Sequence, residues 1–220
     1  MALDPIIYPL GERGLVLDPT PSSPINVGLQ RKLCWVAEQL RSSKNILDVV
    51  PGMNNLTLFV TQPDQLKVIQ QQLETLWRNA KQQQFHAREI TIPVTYGGQF
   101  GPDLDSVAKY HQLTTNEVIA LHCQAQYQVY FIGFQPGFAY LEGLVAKLHT
   151  PRLSQPRLEV AAGSVGIGGE QTGIYPSQSP GGWQIIGRTD SQLFNHTSAY
   201  PCLLQPGDIV TFEPTRDTPS

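Results

Sequence analysis

Between Gly133 and Arg188 the chain reads GFQPGFAYLEGL, then TPRLSQPRLEVAAGSVGIGGEQTGIYP, then SPGGWQIIGRT. Glycine, proline, aromatics and arginine crowd together there, with almost no helix-forming run. Glycine reaches backbone angles that other residues resist, and proline fixes φ. That density demands a shaped backbone surface. A solvent-facing linker would not carry Phe134, Phe138, Tyr140, Tyr175 and Trp183.

The flanking sequence sorts into two textures. Apolar runs at 5–10 and 13–17 surround Gly11 and Gly14 and predict a strand or bent hairpin. Ser22-Ser23-Pro24 is a helix start signal, and Leu29, Leu33, Val36 and Leu40 recur at helical spacing, predicting a helix over 25–42. Strands are expected at 46–51 and 55–60. A second helix opens at Thr61-Gln62-Pro63-Asp64, with Leu66, Ile69, Leu73, Leu76 and Ala80 as its apolar stripe and a glutamine-rich solvated face that includes Gln82, Gln83 and Gln84. With a strand at 87–94, the order is β-α-β-β-α-β, the ferredoxin-like pattern, over about residues 1–88.

After Pro93 come two short helices, one with Leu104, Val107, Ala108 and His111 on a common face. The other opens on the capping-box signature Thr114–Glu117 and ends near His122. Beyond them only short strands appear, at 126–132, 157–161, 165–167, 184–188, 202–204 and 208–213, separated by glycine and proline. Many short strands with turn signals argue for a barrel or sandwich, so a mainly β domain is expected over 89–220, with 214–220 as a frayed tail.

Composition narrows the function classes. The net charge is −3 and charged residues make up 15%, without the basic excess or stripe of a nucleic-acid binder. The N-terminus lacks a basic start followed by an apolar core, and no apolar run nears the ~18 residues that span a bilayer. Three scattered cysteines, Cys34, Cys123 and Cys202, fit reduced thiols in a cytoplasmic protein.

Few residues carry a chemical signature alone. GSVGIGG at 163–169 lacks the Gly-Lys-Ser/Thr of a phosphate loop, and Gln171 stands where a GxGxxG starting at Gly166 needs glycine. Its glycines either present successive amides as an anion nest or form tight barrel turns. Arg152 and Arg157 each follow a proline that stiffens the backbone beneath a fork suited to carboxylate or phosphate. The plainer reading is solubility, or pairing with Glu159 or Glu142; Arg188 is a weaker candidate of the same kind. His122 adjoins Cys123, but adjacent helical residues diverge and do not make a dyad. His86, His111, His149 and His196 lack zinc-site spacing. Ser164 is not in a GxSxG elbow and reads as a turn hydroxyl. Asp103 and Asp105, at a helix start, read as capping residues, with a metal role second. The residues alone describe a two-domain protein with a pocket for a small anion or amide, without a reaction.

The segments IPVTYGGQFGPDLDSVA, NEVIALH, VYFIGFQPGFAYLEGL, PRLSQPRLEVAAGSVGIGG, QTGIYPSQSPGGWQIIGRT and LLQPGDIVTF occur in one order across most of 92–213. In that order they resemble the family of 5-oxoprolinase B subunits, which also includes the sporulation kinase-A inhibitor and the allophanate hydrolase subunit 1-like segment. The resemblance implies an α+β chain, with a ferredoxin-like N-terminal domain followed by a cyclophilin-like β-barrel. It implies a sibling of the C type with a related barrel, and a third partner of the A type. Together these would open 5-oxoproline to glutamate with ATP, and Mg as its companion. Gln135 stands where the family pattern has alanine, and Ala139 and Ala161 where it has proline, adding an amide to the polar lining.

Phosphorylating a lactam oxygen needs positioning and charge neutralisation more than covalent help. On this reading Arg152 and Arg157 hold an anionic group. Gly163, Ser164, Val165 and Gly166 offer backbone donors, and His122 is a hydrogen-bond or proton-transfer partner. Gln135, Phe138, Tyr175 and Trp183 shape the walls. Three rivals stand beside it: a binder that inhibits a sensor histidine kinase, half of a urea-type carboxyltransferase with biotin on a partner, and prolyl isomerisation suggested by the barrel type alone.

Overall fold

The computed structural model describes residues 5–19, 27–80, 87–216 and 218. The expected cap Ser22-Ser23-Pro24, the glutamines at 82–84 and His86 lie outside them. The chain divides into two compact units, Met1–His86 and Ala87–Ser220.

In the first unit, β1 (Ile6–Leu10) and β2 (Gly14–Asp18) form a hairpin, followed by α1 (Val27–Arg41), β3 (Ile46–Pro51), β4 (Leu56–Val60) and α2 (Leu66–Asn79). The strands form an antiparallel sheet in the order β1-β2-β4-β3. Its fourth strand is therefore β1, and the strand expected at 87–94 belongs to the second unit. The hairpin needs its glycines: Gly11 turns at φ 62, and a Cβ on Gly14 would lie 2.4 Å from the Leu10 carbonyl oxygen. One apolar face accounts for the rest. Leu15 and Leu17 of β2, Leu56, Leu58 and Val60 of β4, and the stripes Leu33, Val36, Leu40 and Ile69, Leu73, Trp77 share one core. The spacing of three and four that predicts the helices is the spacing that buries them, at ~1.5–3 kcal/mol for each fully buried aliphatic side chain.

The second unit runs β5 (Glu89–Tyr96), α3 (Leu104–Tyr110), α4 (Thr115–Gln124), β6 (Tyr127–Ile132), β7 (Ala139–Glu142), β8 (Arg157–Val160), β9 (Ser164–Gly168), β10 (Gln171–Ile174), β11 (Ser179–Gly181), β12 (Gln184–Arg188) and β13 (Ile209–Pro214). Seven strands close a barrel in the order β10-β7-β6-β13-β5-β12-β9, while β8 and β11 pair only with each other as a ribbon. Alternate residues, among them Val94, Tyr96, Val129, Leu141, Val165, Ile167, Ile174 and Phe212, fill the interior. β5 and β13 run parallel from Ile209↔Glu89 to Pro214↔Val94. α4 starts as expected: Thr114 Oγ1 accepts from the Glu117 amide, and Glu117 Oε2 accepts from the Thr114 amide. Those bonds hold the Glu117 carboxyl below its ordinary range.

Two sequence expectations fail here. No strand forms at 202–204, where only the Phe194↔Cys202 bridge is made. The tail does not fray at 214: the Thr215 amide donates to Val94 O at 2.9 Å, and the Thr95 and Thr215 hydroxyls meet at 2.8 Å. The tail continues along β5 because β5 still has backbone and hydroxyl partners to offer.

β9 and β10 send Val165, Ile167 and Ile174 inward, so Gly166, Gly168 and Gly173 face outward and leave the wall bare. Trp183 lies on that bare patch. A Cβ on Gly168 would sit 2.5–2.6 Å from three indole atoms, and one on Gly173 would sit 3.1 Å from the ring. Gly168→Ala is expected to destabilise the barrel by ~1–3 kcal/mol, read as a lower urea midpoint with an altered Trp183 environment.

Candidate functional site

The bare glycine patch carries a second, smaller core of Phe138, Val160, Tyr175, Trp183 and Ile185, with Tyr140 packed against it. The rings meet edge to face: Phe138 lies 5.5 Å from Trp183 and 5.3 Å from Tyr175. At its margin Phe134 is 61% exposed and holds φ 64, a left-handed conformation costly for a non-glycine residue. Gln135 staples this loop to the next: its Nε2 donates to Ser177 O at 3.3 Å and its Oε1 accepts from Ser177 Oγ at 2.7 Å. The structure therefore brings Gln135, Phe138, Tyr175 and Trp183 to one region.

Arg152 and Arg157 reach the same region but differ in state. Arg157 Nη2 donates to Asp103 Oδ1 at 2.6 Å, and Asp103 Oδ2 accepts from the Ile185 amide at 2.6 Å. Asp103 is buried and makes no side-chain cap for α3. It is a clamp between α3, β12 and the ribbon, and it replaces Glu159 and Glu142 as the partner of Arg157. GPDLD contains the residue, but only the closed barrel shows what faces it. Arg152 is exposed, lies 5.7 Å above the centre of the Trp183 ring, and enters none of the ion pairs among the described residues. Burial raises the Tyr175 hydroxyl pKa, partly offset by its bond to the Trp183 backbone and by both guanidiniums. Beside Arg152, a cavity of about 330 Å³ is lined by Thr150–Ser154, Gln184, and Ser106, Val107 and Tyr110 of α3.

Two sequence assignments are corrected. Residues 163–166 do not form an anion nest. β9 is paired on both sides, with β10 and β12, and the Gly163 amide donates to Tyr175 O at 2.7 Å, so these donors are already used. Nor does His122 face a pocket; it is fully buried inside the barrel, stacked 4.5 Å from Phe212. Thr172 Oγ1 donates to Gly166 O at 3.0 Å, which leaves it to accept from His122 Nε2 at 3.0 Å. His122 Nδ1 is then the acceptor of the Tyr96 hydroxyl at 2.7 Å, and that hydroxyl oxygen receives the Cys123 thiol at 3.4 Å. His122 and Cys123 thus share a partner without touching. Burial lowers the His122 pKa to about 3, so the ring is held neutral, and its two bonds tie α4 to β5 and β10.

Arg188, level with Ser164 and Thr95, has a buried Nε with no acceptor and lies 6.0 Å from the Phe100 ring. Among the described residues no group of three or more His, Cys, Asp or Glu side chains is arranged to hold a metal ion. No helix among them is long and apolar enough to cross a membrane.

Residues 5–204 match the family described as carboxyltransferase domain, subdomain C and D. The chain is 51% identical over 206 residues to the B subunit of 5-oxoprolinase from Haemophilus influenzae, covering 94% of this chain and 96% of that protein. It is 44% identical to the B subunit of 5-oxoprolinase from Escherichia coli O157:H7, covering 96% of both. The crystal structure of TTHA0988 superposes with TM-score 0.79 at 35% identity, covering 94% of this chain and 41% of that one.

Two measurements follow from this geometry. The unfolded chain binds a proton on His122 near its ordinary 6.5, whereas the folded ring refuses it until about 3. Its contribution is therefore complete above pH ~6.5 and is lost as pH falls through that window. His122→Gln is expected to lower stability at pH 7 and to flatten the acid slope by up to ~1.4 kcal/mol per pH unit, read from urea titrations across pH 4–7. Asp103→Ala is expected to cost ~2–4 kcal/mol, shifted down from the ~3–5 kcal/mol of a wholly buried pair because Arg157 is partly exposed. Asp105→Ala is expected to stay within ~0.5 kcal/mol; equal losses would restore Asp103 to a capping role.

Proposed function

The chain belongs to the carboxyltransferase subdomain C and D family and, within it, to the group of 5-oxoprolinase B subunits, and from that membership we propose that it is the B subunit of an ATP-dependent 5-oxoprolinase. Its partners on this reading are a sibling barrel of the C type and a third chain of the A type, in the cytoplasm, with 5-oxoproline as substrate. The observation that carries the reading is 51% identity over 94% of the chain. The four-stranded first unit is read as ferredoxin-like and the seven-stranded barrel as cyclophilin-like, with their order adapted to the N-terminal hairpin.

A lactam carbonyl is a poor electrophile, and ATP supplies the phosphoryl group that activates it. This chain's task is then to bind and orient. The aromatic core over the glycine patch gives a dry, rigid bed, and the adjoining arginine supplies positive charge near a compact anion. Positioning of that kind is where most of such a rate enhancement originates. The family description, a carboxyltransferase domain, fits one further reading, in which we take carboxyl transfer to run from a partner's biotin to a urea-like substrate.

Reconstitution tests the proposal. Mixed with the sibling barrel and the third chain, this protein should support 5-oxoproline-dependent ATP hydrolysis, and on its own it should support none. Leaving it out should abolish turnover. Undiminished hydrolysis without it would end the assignment, and a strict biotin requirement would favour the carboxyltransferase reading.

A further inference from the structure

Resting on the reading above, we propose that the cavity between α3 and the 150–154 segment is the carboxylate subsite for a small lactam acid, and that Arg152 is the group that holds it. The two arginines that the sequence treats alike are not equivalent. Arg157 is committed to the buried Asp103, whereas Arg152 enters none of the ion pairs among the described residues and borders a cavity of about 330 Å³. The lining contains no Asp or Glu, so nothing in it competes for the guanidinium or repels an anion. An unpaired fork above an aromatic face suits a planar carboxylate.

The rest of the lining matches the remainder of such a ligand. Pro151 and Leu153 offer apolar contact for a five-membered ring, while the hydroxyls of Ser106 and Ser154 offer donors or acceptors for an amide. The segment that carries Arg152 is pinned on both sides. Thr150 N donates to Gly169 O at 3.1 Å, Leu153 N donates to Gly182 O at 2.7 Å, and Gln184 Nε2 donates to Pro151 O at 3.0 Å. A site held this way is formed before the ligand arrives, which lowers the cost of ordering it. The volume of about 330 Å³ stands at the small end of ligand pockets, enough for a lactam acid.

The test compares Arg152→Gln, Arg152→Lys and Arg188→Gln in the reconstituted complex. Arg152→Gln should raise KM for 5-oxoproline at least tenfold with KM for ATP unchanged, and Arg152→Lys should recover part of the loss. Pyrrolidin-2-one, the same ring without the carboxylate, should not compete at matched concentrations. An unchanged KM for 5-oxoproline in an active Arg152→Gln complex overturns the subsite. So does a shift confined to ATP, which would give the cavity to phosphate, or a loss that appears in Arg188→Gln alone. If the complex turns over without this chain, the functional reading fails, and the subsite is decided by titrating the full chain directly with 5-oxoproline. Binding that Arg152→Gln weakens at least tenfold keeps the subsite; no binding, or equal binding, removes it.

Discussion

One packing contact organises the second unit: a flat indole against a wall from which side chains have been removed. Gly166, Gly168 and Gly173 leave no Cβ on the outer face of β9 and β10, and Trp183 occupies the space. Phe138 then stands edge-on to the indole and to Tyr175, and Tyr140 also meets the indole edge to face. The β8–β11 ribbon, which joins no other sheet, rests on this group through Val160, and Arg152 lies over the same indole. A side chain on Gly168 would lift the indole and everything stacked on it, while Gly166 and Gly173 leave room only for tight contact.

The barrel interior solves a different problem. A histidine, two tyrosines and a threonine are enclosed among apolar residues, Phe212 included, and each polar group must find a partner or incur the cost of desolvation. The arrangement found is a one-way series of donors from Cys123 through Tyr96, His122 and Thr172 to the Gly166 carbonyl. Each link sets the next one's direction, so the tautomer of His122 follows from the threonine's bond to β9. This polar thread fixes how α4 sits inside the closing strands, a specificity that aliphatic packing alone would leave looser.

Much of this was legible in the sequence where periodicity operates. Helices α1 to α4 follow from apolar spacing, and the α4 cap follows from Thr114 and Glu117. Most barrel strands follow from short runs between glycines and prolines. Failures arose where partners are distant in sequence. The apolar runs at 5–10 and 13–17 left a single strand and a bent hairpin both open, and the hairpin forms, but nothing local said that its second strand would pair with β4. The polar tail gave no sign that Thr215 and Thr218 would bond β5, more than a hundred residues earlier. The site behaved likewise. Aromatics beside glycine were visible as a group and do gather. The pairing of Arg157 with Asp103, 54 positions away, was not visible, nor was the loss of the glycine amides to the ladders on either side of β9.

The parallel seam between β5 and β13 has a kinetic corollary. Its residue pairs are 120 positions apart, from Glu89 with Ile209 to Val94 with Pro214, and the strands between them cannot form a ring until that seam is zipped. During synthesis the ring therefore cannot close until the ribosome has released Pro214. Closure then pays for a long-range encounter in a single late step, the circumstance in which folding is slow and unpaired strand edges are most exposed to other chains.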